Sequence, residues 1–387
     1  MMEVMGKISD DSNAPHKVKS NRNSNIEALK LIAIILIVIS HSVPYVDNYT
    51  HPYLIDLRYS SESVQQVVMV LLRNFGQVGN LIFMVSSFWY RQDSDRIKVR
   101  KAPGIIFDTI LISFFYAIIS IILNISIEPW DFRMMLQPIS FSAWWFVTCY
   151  LITYLIHPAL NRAISIMSDR VMAFVVCVLA YAYSFCALLW RASFYYNNLI
   201  GFVYVYILVG AVHRFINKSI ENPQDSKALA YRGITRWLTP CGIIFHIIFT
   251  IVLNFIGLHI EKFGNDMLRF NSIFNPVFIL IAISAVLNAL LQNTKKVQII
   301  NYFASLSLLI YLFHDSILVF KYLVPDVYYK WVTEHVNDGF VLPWVFVLAF
   351  VLFMGGLLLS IVYQSSVKRF TESISYNCAK VVERWIC

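Results

Sequence analysis

An all-α bundle embedded in a membrane is the fold class that the sequence predicts, and three observations carry it. Hydrophobic residues make up 58 % of the 387 residues and charged residues only 14 %, against roughly 25 % charged in an ordinary soluble domain. Apolar runs recur at about twenty residues, the thickness of a bilayer core. Lys and Arg gather in alternate gaps between those runs. With a mean hydropathy of +0.62, this excludes a disordered chain, a disulfide scaffold and a soluble globular enzyme.

Ten apolar spans are expected, at about 25–45, 67–90, 104–124, 139–160, 171–190, 198–213, 240–258, 270–291, 300–320 and 341–366. At these lengths only helices satisfy their backbone inside lipid, because barrel strands would be about half as long. Residues 1–24, rich in Ser, Asn and Lys, read as a disordered cytoplasmic arm. Residues 25–366 form the transmembrane domain, and 367–387 a cytoplasmic tail.

Charge sets the orientation. The two ends and alternate gaps hold 22 of the 31 Lys and Arg, including Arg91, Arg96, Lys98, Arg100 and Lys101 after the second span. The other gaps hold 7, and Lys30 and Arg73 lie inside spans. The positive-inside rule then puts both termini in the cytoplasm and requires an even number of spans. The same rule explains the net charge of +8 without a nucleic-acid partner. The six cysteines contain no CxxC and no metal-ligand spacing, so neither a disulfide framework nor a metal is expected. No gap is long enough for a soluble catalytic domain, so any chemistry must use residues in or beside the helices.

Ionisable groups at bilayer depth are costly and therefore functional candidates. In the first span, Lys30 and His41 stand eleven residues apart. At 100° per residue they differ by about 20° around the helix and share one face, roughly 16 Å apart along it. Glu27 lies on the same side, one turn before Lys30. The structural alternative is a snorkelling lysine and an interfacial histidine. In the second span, Arg73, Gln77 and Asn80 make one polar stripe. Polar contacts between helices explain the two amides well and the arginine poorly. The ninth span carries Tyr311 and His314, with Asp315 next, at a depth like that of His41. The fourth opens with Ser142, Trp144, Trp145 and Thr148, where belt tryptophans are the ordinary reading. His157, His213 and His246 show no evident partner and read as structural. The layout suits a cavity running from the cytoplasm to an outward-facing site, where a histidine acts as general base on a hydroxyl.

These residues resemble the acyltransferase-3 family of integral membrane O-acyltransferases. The match lies in Glu27, Lys30 and His41 within IEALKLIAIILIVISH, in LIFMVSSFWY with Ser86, and in Arg100, Lys101 and Pro103. It continues through Trp145 and Phe146, Pro158 ending that helix, and the late pair Tyr311 and His314. Ser87 departs from the family's usual glycine. The resemblance implies transfer of an acyl group, commonly acetyl, from cytosolic acyl-CoA to a sugar hydroxyl of a cell-surface glycan or lipid-linked sugar. His41 would be the essential histidine and Lys30 its motif partner. Acyl-CoA is a substrate, and no bound cofactor is implied. A plasma membrane, bacterial by this resemblance, is the expected location, with lipid around the chain. Some relatives carry an extra extracytoplasmic domain that completes transfer. The chain as read here either completes transfer itself or hands the acyl group to a separate extracytoplasmic acceptor protein.

The expected site thus has His41 and His314 as catalytic residues, with Lys30, Arg73, Trp145 and Tyr311 on substrate and Arg100 and Lys101 on the acyl-CoA phosphates. His41 deprotonates the acceptor, or relays the acyl group covalently. A secondary transporter or lipid-linked glycan exporter is the competing class, although no internal repeat is found in the sequence. A membrane-embedded regulator without turnover is a third.

Overall fold

Helix α1 (Ser24–Ser42) is the element around which the others pack. It touches α2 (Val64–Trp89), α9 (Pro276–Leu291), α10 (Gln298–Ser305), α11 (Ser307–His314) and α13 (Val341–Ser366). The structure, a computed structural model, describes residues 23–45, 54–94, 96–186, 188, 197–221, 224, 226–264, 267–268, 270–293 and 296–386. Residues 1–22 of the expected arm lie outside these. Asn23 and Ser24 instead begin α1: the Asn23 side chain accepts from the Asn25 and Ile26 amides and caps two open N–H groups.

The remaining α-helices follow in chain order. They are α3 (Lys101–Ile122), α4 (Pro129–Leu136), α5 (Trp145–Ile166), α6 (Asp169–Ala180), α7 (Asn198–Glu221) and α8 (Ser226–His259). After α11 come a π-helical stretch (Leu318–Tyr329), α12 (Lys330–His335) and, beyond α13, α14 (Lys368–Ile386). No strand forms among the described residues. The all-helical class is as the sequence predicts.

By length and apolarity, six helices can cross a membrane: α1, α2, α3, residues 198–217 of α7, residues 229–259 of α8, and α13. A seventh span arises if residues 298–314 and 318–335, bent by 62°, count as one. This measure does not reach ten among the described residues. Large apolar side chains are exposed on α3 (Ile118, Ile121, Ile122) and α13 (Phe350, Val351). In water such faces would be a liability, and against acyl chains they cost nothing. The chain is a multi-pass membrane protein.

Several boundaries depart from the sequence reading, each for a local reason. The fourth span starts at Trp145 rather than 139, because Ser142 adopts φ 52° and residues 137–144 form turns. Pro158 does not end that helix, which runs on to Ile166. A proline at 158 leaves the Tyr154 carbonyl without its usual donor. The His157 Nδ1–H takes the vacancy at 2.6 Å. Residues 270–275 are not helical; Asn275 caps α9 through the Val277 amide at 2.9 Å, and Pro276 opens it. The ninth span breaks at Asp315 and Ser316. The expected tail begins where the sequence places it and forms helix α14, docked on α3, where the Ser375 hydroxyl donates to the Arg100 carbonyl at 2.6 Å.

Two glycines set how closely α1 and α2 approach. A Cβ on Gly76 would sit 2.2 Å from the Ser40 Cβ, and one on Gly79 would sit 2.5 Å from the Ala33 carbonyl oxygen. These contacts run in opposite directions along the two helices, so α1 and α2 are antiparallel. The end where α1 starts is therefore the end where α2 finishes and α3 begins.

Candidate active site

The opposite end, where α1 finishes, holds a cavity of about 570 Å³. Three features build its walls. Helix α1 stops at Ser42, and Val43 turns extended before Pro44, so the side chain of His41 meets open space. Helix α3 closes with Asn124 at φ 52°, a left-handed position that asparagine tolerates. The Ile125 amide donates to the Ser120 carbonyl at 2.9 Å and the Asn124 amide to Ile121 at 3.1 Å. This cap directs residues 125–128 across the mouth, where Ser126 and Glu128 line the cavity. The π-helical stretch supplies a further wall through Phe320, Lys321, Tyr322, Val324, Pro325, Asp326 and Tyr329. Tyr329 is tied to α1 through a hydrogen bond from its hydroxyl to the Ser42 carbonyl.

At the cavity floor, His41 meets two residues of the broken ninth span. Its Nδ1 lies 3.1 Å from the His314 Nε2 and 3.2 Å from the Asp315 Oδ1. The two imidazoles stack, with centroids 5.2 Å apart and planes inclined by 28°. Hydrogen-bond logic fixes the tautomers. The His314 Nδ1 is 2.8 Å from the Ile310 carbonyl oxygen, which only accepts, so that nitrogen carries the proton. In the neutral ring Nε2 is then a bare acceptor, and His41 must donate to it through Nδ1–H. The same N–H faces the Asp315 carboxylate. His41 is left with a lone pair on Nε2, the form a general base requires.

The break in the ninth span makes this possible. Asp315, at φ −101° and ψ 26°, leaves the helical path, and the Ser316 hydroxyl accepts from the Val319 amide at 3.3 Å to start the next segment. The Tyr311 side chain lies close enough to the Asp315 carboxylate to interact with it electrostatically. Tyr311 is 6 % exposed and is not among the residues lining the cavity; it holds Asp315 from behind.

Arg73 lines the cavity. Its Nη1 donates to the Ser40 carbonyl at 3.1 Å, while the Ser40 hydroxyl donates to the Arg73 carbonyl at 2.9 Å. Its guanidinium lies 5.2 Å from the Tyr45 ring centroid. In the same stripe, the Asn80 amide donates to the Gln77 Oε1 at 3.3 Å within α2, and the Gln77 Nε2 donates to the Asn271 Oδ1 at 3.5 Å, a contact between elements. A second ionic cluster spans the mouth. Asp131, 2 % exposed, accepts from the Lys321 Nζ and from the Tyr322 hydroxyl, both at 2.8 Å.

The other expected residues lie elsewhere. Lys30 pairs with Glu27 at 3.1 Å, at the opposite end of α1. Trp145 does not line the cavity; it packs edge-on against Phe146 and Phe202, with centroids at 5.9 Å and 6.2 Å. Lys101 donates to the Tyr150 hydroxyl at 2.7 Å and sits 5.2 Å from the ring centroids of both Tyr150 and Tyr154. Arg91 lies 4.7 Å from the Tyr154 ring. Arg100 lies 4.3 Å from the ring of Tyr376 on α14. The histidines read as structural do have partners: His157 as above, His213 with Asp93 at 3.2 Å, and His246 with Asn74 at 3.5 Å.

The sequence sets Asp315 beside His314 and by itself assigns it no role in the site. An acid inside an apolar span was the available signal. Asp131, Glu128 and Lys321 carried none, because their meeting depends on how distant segments fold.

The acyltransferase-3 family model, described as an acyltransferase domain, matches residues 23–362. No curated protein and no solved structure matches the chain.

Proposed function

The chain belongs to the acyltransferase-3 family, and from that premise we propose that it moves an acyl group, acetyl first, from acyl-CoA to a sugar hydroxyl of a cell-surface glycan. Membership in an acyltransferase family sets aside the transporter reading. The observation that carries the proposal is His41 at the floor of the cavity, with Nδ1 facing both His314 and Asp315.

The two substrates differ in charge, and so do the two ends of the bundle. CoA is strongly anionic, which suits the end bearing Arg91, Arg100 and Lys101. The acceptor then occupies the cavity. Lys30 and His41 are roughly 16 Å apart along α1, a span comparable to a pantetheine arm laid between them. The acid-bearing cavity mouth repels CoA and favours this division. In this reading the basic end faces the cytoplasm.

His41 takes the acceptor hydroxyl proton on Nε2 as the oxygen bonds to the thioester carbonyl carbon. The imidazolium that forms is held by Asp315, and His314 keeps the ring in register. Arg73 lies near enough to the same floor to steady the developing oxyanion. As the C–S bond breaks, the departing thiolate takes the proton from His41, and the base is restored. A covalent acyl-His41 relay is the variant; it differs in accumulating acyl-enzyme without acceptor. Mass spectrometry of surface glycans from cells with and without the protein tests the assignment. A missing acyl substituent, about 42 Da for acetyl because the group is added covalently, is the expected result. Unchanged glycans would contradict it.

A further inference from the structure

The charges around the cavity discriminate among possible acceptors. Of the two cations that line it, Lys321 faces a buried carboxylate and Arg73 is engaged by a backbone carbonyl. Lys321 is matched by Asp131 at 2.8 Å. Arg73 is turned to the Ser40 carbonyl, and its charge acts on Asp315. Two further carboxylates line the wall, Asp326 and Glu128. The Glu128 side chain is exposed at the wall and makes no ion pair among the described residues; its backbone amide donates to the Tyr322 hydroxyl at 2.9 Å and its carbonyl accepts from the Phe132 amide at 3.0 Å. Tyr45 and Phe320 add aromatic surface against which the C–H face of a sugar ring can pack.

We propose that the acylated sugar is neutral or amine-bearing, and that Glu128 is the residue that disfavours anionic sugars; this rests on the cavity being the acceptor site. A uronate or phosphorylated sugar would bring a negative charge beside an unneutralised carboxylate inside a concave, partly apolar wall. There the Coulomb repulsion is screened less than on an open surface. A neutral hexose or N-acetylhexosamine meets no such cost, and an ammonium group gains attraction.

The test uses the full chain in nanodiscs with acetyl-CoA and three oligosaccharides of matched length: neutral, uronate-bearing and de-N-acetylated. The expected kcat/KM for the neutral and amino acceptors exceeds that for the uronate by at least about tenfold at low salt, and the gap narrows as salt rises. Glu128→Gln narrows the ratio and Glu128→Lys reverses it. Equal use of the uronate, with a ratio that Glu128→Lys does not move, overturns the inference and leaves acyl transfer standing. Saturation-transfer NMR on the same three sugars reads binding without turnover. If the neutral sugar binds, the uronate does not and none is acylated, then charge selection holds and the acyl-transfer reading fails. Equal binding of the uronate overturns charge selection.

Discussion

His41 and His314 meet nitrogen to nitrogen, Nδ1 to Nε2 at 3.1 Å, across 273 residues of sequence. The Ile310 carbonyl sets the direction of that contact by claiming the other nitrogen of His314. One backbone oxygen thereby decides which nitrogen of His41 is free to take a proton.

Asp315→Asn keeps the shape of the floor and removes the charge that steadies a His41 imidazolium. Acyl transfer should fall by about 10²-fold or more in kcat, while KM for either substrate changes little. Steady-state kinetics on the reconstituted protein separates the two parameters. A purely structural role would lower the folded yield and leave kcat per folded molecule intact.

Gly76→Ala should loosen the site from a distance. The added methyl must displace Ser40, which lies next to His41 and holds Arg73 through its hydroxyl and carbonyl. Overpacking at such a contact costs about 1–3 kcal/mol. Thermal unfolding in detergent should show the loss, together with reduced transfer. Gly355→Ala, inside α13 with nothing within 4 Å of the new Cβ, should not lower stability, because alanine is the better helix former, and serves as the control.

Asn161→Ala removes the clasp on the basic end. Its Nδ2 donates to the carbonyls of Arg91 at 2.8 Å, Ser94 at 3.1 Å and Gln92 at 3.4 Å, while its Oδ1 accepts from the Tyr206 hydroxyl at 2.7 Å. Losing a buried amide with several partners costs about 1–3 kcal/mol. Hydrogen exchange should accelerate in residues 91–94 before it does elsewhere.

Lys101→Met should raise KM for acyl-CoA and leave KM for the acceptor as it was, because the lysine sits with Tyr150 and Tyr154 far from the cavity. An unchanged donor KM would place CoA elsewhere.

How much of this was legible in the sequence follows from what each signal depends on. The class was legible because twenty-residue apolar runs have few other uses in a chain. His41 and His314 were legible because polar groups in such runs are costly, and the structure brings both to one floor. Boundaries were less legible where a local substitute rescued the backbone. Pro158 reads as a stop, but the His157 side chain supplies the missing donor. Asp315 and Ser316 read as part of a continuous span, yet they break it at the site. Trp145, a belt residue by its place at a span end and a site residue by the family resemblance, packs edge-on against Phe146 and Phe202 and does not line the cavity. Glu128 and Asp131 lie in a connection that carries no pattern, and their position depends on the cap at Asn124.

The most direct measurement follows labelled acetyl from acetyl-CoA to a neutral oligosaccharide, using the reconstituted wild-type protein and His41→Ala. With the base removed, transfer should fall by about 10²–10⁴-fold, while acetyl-CoA still binds and the protein still unfolds at the wild-type temperature. Transfer by His41→Ala at the wild-type rate would show that this imidazole moves no proton in the reaction, and the mechanism built on it would be wrong.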